Sequence, residues 1–196
     1  MSTAPVTTLV PELYPLFLKL EGRDVLVAGA GVVAEGKIAG LVAAGARVRV
    51  VAPTALPSVA ELAARSALSW EARPFTPRDV EGAWLVVSAT ADPVAQRAIF
   101  AAAEAQHTFV IAIDDLPNGS AYSGAVVRRP PFLVAISSSG EAPALSRLLR
   151  EMLDEFLPTE SWVRDAQALR VKWRAEKMPF GDRFGDLVRA FKSRAG

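Results

Sequence analysis

Groups able to do chemistry are few in this chain. Its 196 residues include no cysteine and one histidine, His107. No disulfide, cysteine-ligated zinc, iron–sulfur cluster or cysteine nucleophile can form, and a Ser-His-Asp triad would have to use His107. That histidine falls at the end of a predicted helix, where an imidazole suits the dipole. Chemistry is left to carboxylates, hydroxyls, Lys and Arg, backbone amides or a borrowed cofactor.

The most informative spacing is Gly29-x-Gly31-x-x-Ala34, between an apolar run and a helical stretch. In a βαβ unit, the first glycine permits the tight turn and the second admits a pyrophosphate to the backbone. The alanine lets helix and strand pack closely, and the helix amides face the diphosphate. Dinucleotide binding is the expectation, against a tight turn with no ligand. The next strand ends Ala52-Pro53-Thr54, without the acidic residue that grips a ribose in many such folds. Thr54 can donate to a ribose hydroxyl and no basic residue stands at that strand end, so NAD is the expected cofactor. Thr90 ends a later strand and is expected to touch the cofactor; Asp92 reads as a helix cap.

Asp114-Asp115 ends a fifth strand at the same sheet edge. A carboxylate beside a nicotinamide suits a general base, but the pair also suits a turn before Pro117-Asn118-Gly119. Successive residues of an extended chain point opposite ways, so at most one of the two faces a site. Ser137-Ser138-Ser139-Gly140 precedes a helix carrying Arg147 and Arg150. Hydroxyls, amides and helix dipole there form an anion site, or an ordinary cap through Ser139 or Gly140.

The elements that must position these groups alternate. Strands are expected at 24–28, 47–52, 68–73, 84–89 and 109–113, with helices between them. Continuous apolar strands alternating with helices imply a parallel sheet covered on both faces. Two further runs, 120–127 and 132–137, have no helix between them and should pair antiparallel. Helices are then expected over 141–157, stopped by Pro158, and over 161–177 and 182–193. The fold class is α/β: a Rossmann-type parallel sheet, then a small α+β region, then a helical C-terminal region. The expected divisions are 1–115, 116–157 and 158–196.

The net charge of +1 is unevenly spread. Residues 164–194 carry nine basic and four acidic side chains, a signature of an anionic partner. No apolar run is long enough for a membrane span, and the N-terminus lacks the basic and apolar blocks of a secretory signal. A cytoplasmic protein without membrane or nucleic-acid partners is expected. A basic tail alone would support nucleic-acid binding only with salt-sensitive affinity.

Several segments recur in order in one known family: Tyr14–Leu18, Val27–Ala34 with Lys37, Val50–Pro53, Val87–Asp92, the strand ending in Asp114-Asp115, and Val134–Gly140 through Arg150. Residues 13–157 resemble precorrin-2 dehydrogenase, the family that includes the N-terminal half of bacterial siroheme synthase. The resemblance implies NAD-dependent oxidation of precorrin-2 to sirohydrochlorin by a homodimer; some relatives also insert Fe²⁺. It puts Val32, Val33, Pro53 and Thr54 against NAD, Asp114 as the catalytic carboxylate, and Ser138 near the tetrapyrrole. The paired strands and following helix would form the dimerisation region, and the tail would help form the tetrapyrrole pocket. An octacarboxylate substrate suits Ser137, Ser138, Ser139, Arg147 and Arg150 as binding groups. No metal ligands are expected. A non-catalytic NAD-binding redox sensor is the alternative of another class.

Overall fold

The computed structural model describes residues 13–157 and 160–192. The first twelve residues, the expected helix stop at Pro158, and the chain from Ser193, Arg194 included, lie outside them. The chain divides into two compact units, Met1–Ser123 and Gly124–Gly196.

In the first unit, five strands form one parallel sheet in the order β3-β2-β1-β4-β5: β1 Asp24–Ala28, β2 Arg47–Val51, β3 Ser69–Glu71, β4 Leu85–Ser88 and β5 Phe109–Ala112. The order in which successive strands are added reverses between β1 and β4, which opens a crevice at their carboxyl ends. The strands are apolar because both faces are covered. One face packs Val25, Val27, Val48, Val50, Leu85 and Val87 against α1 (Val32–Ala43) and α2 (Pro57–Ala64). The other packs Leu26, Val51, Val86 and Val110 against α3 (Pro93–Ala105) and the 3-10 turn Pro77–Val80. Helix α1 buries Ala34, Ile38 and Leu41, one stripe at helical spacing. It is closed by Gly45 (φ +76°), with the Gly45 amide donating to Val42 and that of Ala46 to Leu41.

An ionic cluster ties the β2–β3 side to that 3-10 turn. Asp79, 4% exposed, accepts from Arg73 at 2.6 and 2.9 Å, from Arg49 at 3.1 Å, and from the Thr76 amide at 2.7 Å. The Arg73 guanidinium foremost, then the Thr76 donors, hold its carboxyl well below the usual carboxylate range.

The second unit pairs β6 (Ala125–Arg129) antiparallel with β7 (Phe132–Ile136), as expected. Helix α4 (Pro143–Phe156) packs on this hairpin. Helices α5 (Glu160–Ala175) and α6 (Phe180–Lys192) pack on each other: Trp162 lies 4.7 Å from the Phe191 ring, and Trp173 donates to Asp186 at 2.8 Å.

The third strand and the last two helices move by one to two residues at their ends, and two further shifts have a local cause. The strand expected from residue 120 begins at Ala125, because the amides of Ser120 and Ala121 both donate to the Val110 carbonyl and the Val110 amide donates to Ser120 Oγ. Residues 120–121 are thereby committed to β5. The helix expected from Glu141 begins at Pro143, where proline fits the first turn and lacks only an amide hydrogen the helix does not need.

Candidate functional site at the carboxyl edge of the sheet

Three loops converge where the strand order reverses. Gly29 has φ +115°, and a Cβ there would stand 2.3 Å from the Ala89 carbonyl oxygen. The turn after β1 and the turn after β4 therefore touch through a residue that can carry no side chain. The Gly29 amide donates to the Val51 carbonyl at 3.0 Å, and the Leu56 amide to the Ala30 carbonyl at 3.1 Å, which draws in the turn after β2. Gly29, Gly31, Pro53, Thr54 and Thr90 are thus gathered at one edge.

Gly31 differs from Gly29. Its φ is −83° and a Cβ would meet nothing within 4 Å. The chain itself does not demand glycine there; the open space is what an approaching diphosphate needs. No side chain caps α1, so its first-turn amides lack the partner that capping supplies to most helices. Val32 and Val33, in that turn, are 74% and 51% exposed. Uncapped amides beneath an open approach, flanked by exposed apolar side chains, fit a dinucleotide. Pro53 and Thr54 are exposed beside them. Thr90 is half-buried; its hydroxyl accepts from the Asp92 amide at 3.2 Å and its carbonyl from Gln96 at 3.0 Å. Asp92 accepts from the Val94 amide at 2.9 Å and caps α3, as read from the sequence.

The two aspartates after β5 separate cleanly. Asp115 accepts from the Asn118 amide group at 2.6 Å and belongs to the turn. Asp114 is exposed, holds a left-handed backbone (φ +56°), and has no hydrogen-bond or ion-pair partner among the described residues. It lies just past β5, the strand adjacent to β4, one residue after Ile113, whose amide donates to the Ser88 carbonyl at 3.0 Å. Of the pair, it is the carboxylate free to meet a ligand.

In the second unit the serine run is partly used locally. Ser137 Oγ accepts from the Ser139 amide and Ser138 Oγ from the Ala142 amide, both at 3.1 Å. Ala142, rather than Ser139 or Gly140, occupies the cap position of α4. The hydroxyl hydrogens remain available as donors. Arg147 and Arg150 each donate to the same Glu151 carboxylate at 3.1 Å. His107 is exposed, with φ +53°, just past α3.

Sequence reasoning gives no role to Lys37, on α1. It is half-buried and donates to Ser123 Oγ, and burial lowers its pKa. Among the described residues no cluster of three acidic or histidine side chains could hold a metal, and no helix is long and apolar enough to cross a membrane.

A parallel sheet with a glycine turn at its reversal point defines a dinucleotide-binding protein of the Rossmann type. Residues 16–125 match the family model described as "Putative NAD(P)-binding", and the chain belongs to that NAD(P)-binding family. It is 48% identical over 148 residues to siroheme synthase 1 of Klebsiella pneumoniae, covering 76% of this chain and 31% of that protein. It is 42% identical over 163 residues to siroheme synthase 1 of Yersinia enterocolitica, covering 83% and 34%. The chain thus spans about a third of the length of these curated relatives. The solved structure titled "SirC, precorrin-2 dehydrogenase" shares the fold, with a TM-score of 0.73 and 24% identity over 90% of this chain and 88% of that one.

Proposed function

We propose that this chain oxidises precorrin-2 to sirohydrochlorin with NAD, in the cytoplasm and as a homodimer. The observation that carries the reading is Asp114, an unpartnered carboxylate at the sheet edge where the glycine turn receives a dinucleotide. Similarity to siroheme synthases supports the choice of substrate.

The oxidation removes two electrons and two hydrogens. When bound, NAD accepts one hydrogen with both electrons as hydride. Asp114 takes the other as a proton, so that charge does not accumulate on the macrocycle as the new double bond forms. The first-turn amides of α1 hold the diphosphate, Val32 and Val33 cover apolar parts of the dinucleotide, and Thr54 and Thr90 bond its polar groups. Ser137, Ser138 and Ser139, with Arg147 and Arg150, are carboxylate-binding groups for the substrate, helped by the basic residues of the helical region 158–196.

Anaerobic incubation with precorrin-2 and NAD is expected to yield NADH and sirohydrochlorin in equal amounts. A folded preparation that turns over neither would sink the reading. Asp114→Asn is expected to lower the rate by about 10²-fold or more while NAD still binds; an unchanged rate would remove Asp114 from the chemistry. The same carboxylate could also accept the pyrrole protons released as Fe²⁺ enters sirohydrochlorin. Absorbance-monitored Fe²⁺ insertion above the no-enzyme rate would add that second activity.

A further inference from the structure

The cations named from the sequence as carboxylate binders already have a part-share of an anion, since Arg147 and Arg150 both pair with Glu151. Lys37 does not. It makes no ion pair to an acidic side chain among the described residues, and the one partner found for its ammonium is the neutral Ser123 hydroxyl. Arg78 and Arg97 of the same unit also lack an acidic partner, but they are exposed, so water serves them. A half-buried ammonium without an anion is costly unless an anion arrives.

Its position says where. Lys37 lies four residues after Val33, on the same side of α1 one turn further along. Its partner Ser123 follows the segment that runs beside β5, where Ala121 bridges Ile111 in parallel. Two residues on from those partners stand Ser123 and Ile113, and Asp114 is next after Ile113. Past that bridge both segments run the same way, so Ser123 and Asp114 both follow toward the carboxyl end of β5.

We infer that Lys37 is a substrate-binding residue: its ammonium, held by Ser123, receives a carboxylate of a polycarboxylate tetrapyrrole beside Asp114. The inference rests on the proposed function and names one anchor of that substrate. Burial that already lowers the ammonium pKa also strengthens its attraction to an incoming carboxylate. Ser123 acts as a positioning residue, fixing the long lysine side chain before the substrate arrives.

The test compares Lys37→Gln, which keeps a donor for Ser123 but no charge, with Lys37→Arg, which keeps the charge. The probe is uroporphyrin III, a stable tetrapyrrole with eight carboxylates, titrated by fluorescence quenching against the full chain. Lys37→Gln is expected to weaken its binding about tenfold or more, with the melting temperature and NAD affinity unchanged. Lys37→Arg is expected to recover most of that loss. Wild-type affinity in Lys37→Gln overturns the inference. So does equal weakening in both variants with lowered melting temperatures, which is the signature of a packing role. Wild-type turnover of precorrin-2 is measured alongside. Its failure, with charge-dependent porphyrin binding intact, would remove the dehydrogenase reading and leave the anchor standing.

Discussion

Val25, Leu26 and Val27 of β1 are at most 1% exposed, whereas Phe132 and Leu133 of β7 are 39% and 41% exposed. The contrast extends through the two units. The first has apolar cores on both faces of its sheet. In the second, Val127 and Ser146 alone are fully buried among the described residues. Helix α4 displays Leu145, Leu148, Leu149, Met152 and Phe156 along one stripe, and each is 39–78% exposed. An amphipathic helix that leaves its apolar stripe in water marks a surface made for burial by something else. The first unit buries its own apolar faces, and the second leaves an apolar stripe exposed among the described residues. A second copy of this chain is the occupant our homodimer reading supplies.

The largest effect expected lies within the first unit and separates two glycines. Gly29→Ala drives a Cβ into the Ala89 carbonyl and forces an alanine to φ +115°. It should destabilise the protein by about 3 kcal/mol or more and abolish NAD binding. Gly31→Ala meets open space at an ordinary φ. It should melt as wild type and still lose NAD affinity, because its methyl group occupies the diphosphate approach. Thermal unfolding with NAD titration tests both. Equal melting temperatures for the two variants would contradict the convergence of the β1 and β4 turns.

The Asp79 cluster predicts how the first unit responds to acid. Its folded-state pKa is depressed, so its stabilising contribution is complete above the unfolded value of about 4 and is lost as pH falls toward the folded value. Asp79→Asn breaks the bonds to Arg73 and Arg49 and should cost about 3 kcal/mol at neutral pH. It should also flatten the loss of stability below pH 4. Denaturant unfolding at a series of pH values checks this; a variant as acid-sensitive as wild type would assign the acid response to other groups.

In the second unit, Leu148→Glu places a charge in the exposed stripe of α4. Sedimentation should show at least about a tenfold weaker dimer, with the Asp79-dependent unfolding transition of the first unit in place. If the variant stays as associated as wild type, α4 is not the surface by which the copies meet.

The first unit was the more legible of the two in sequence. Strands buried on both faces read as unbroken apolar runs, and Asp92-Pro93 announced its helix by local chemistry alone. The choice between Asp114 and Asp115 needed the turn itself, since it depends on which carboxylate Asn118 claims. The Arg49–Arg73–Asp79 cluster was beyond reach, because its partners meet only once β2, β3 and the following turn are in place. Its Thr76-x-x-Asp79 capping box is a local signal legible in sequence. In sequence Lys37 stands out only through the family resemblance, two residues after Glu35 in a helix whose other residues are small or apolar. That it pairs with no acidic side chain among the described residues depends on distant packing, which spacing cannot report.

The smallest effect tests the first unit where it looks imperfect. Ser88 ends β4 between Ala28 and Ala112, 1% exposed, and its hydroxyl has no hydrogen-bond partner. A buried hydroxyl normally contributes through its bonds, and an unbonded one carries only its desolvation cost. Ser88→Ala keeps the strand and removes that cost, so it should be neutral or stabilise by up to about 1 kcal/mol. If it instead destabilises and weakens NAD binding, the hydroxyl has a partner in the loaded protein. Ser88 would then join Thr90 among the groups that receive the cofactor.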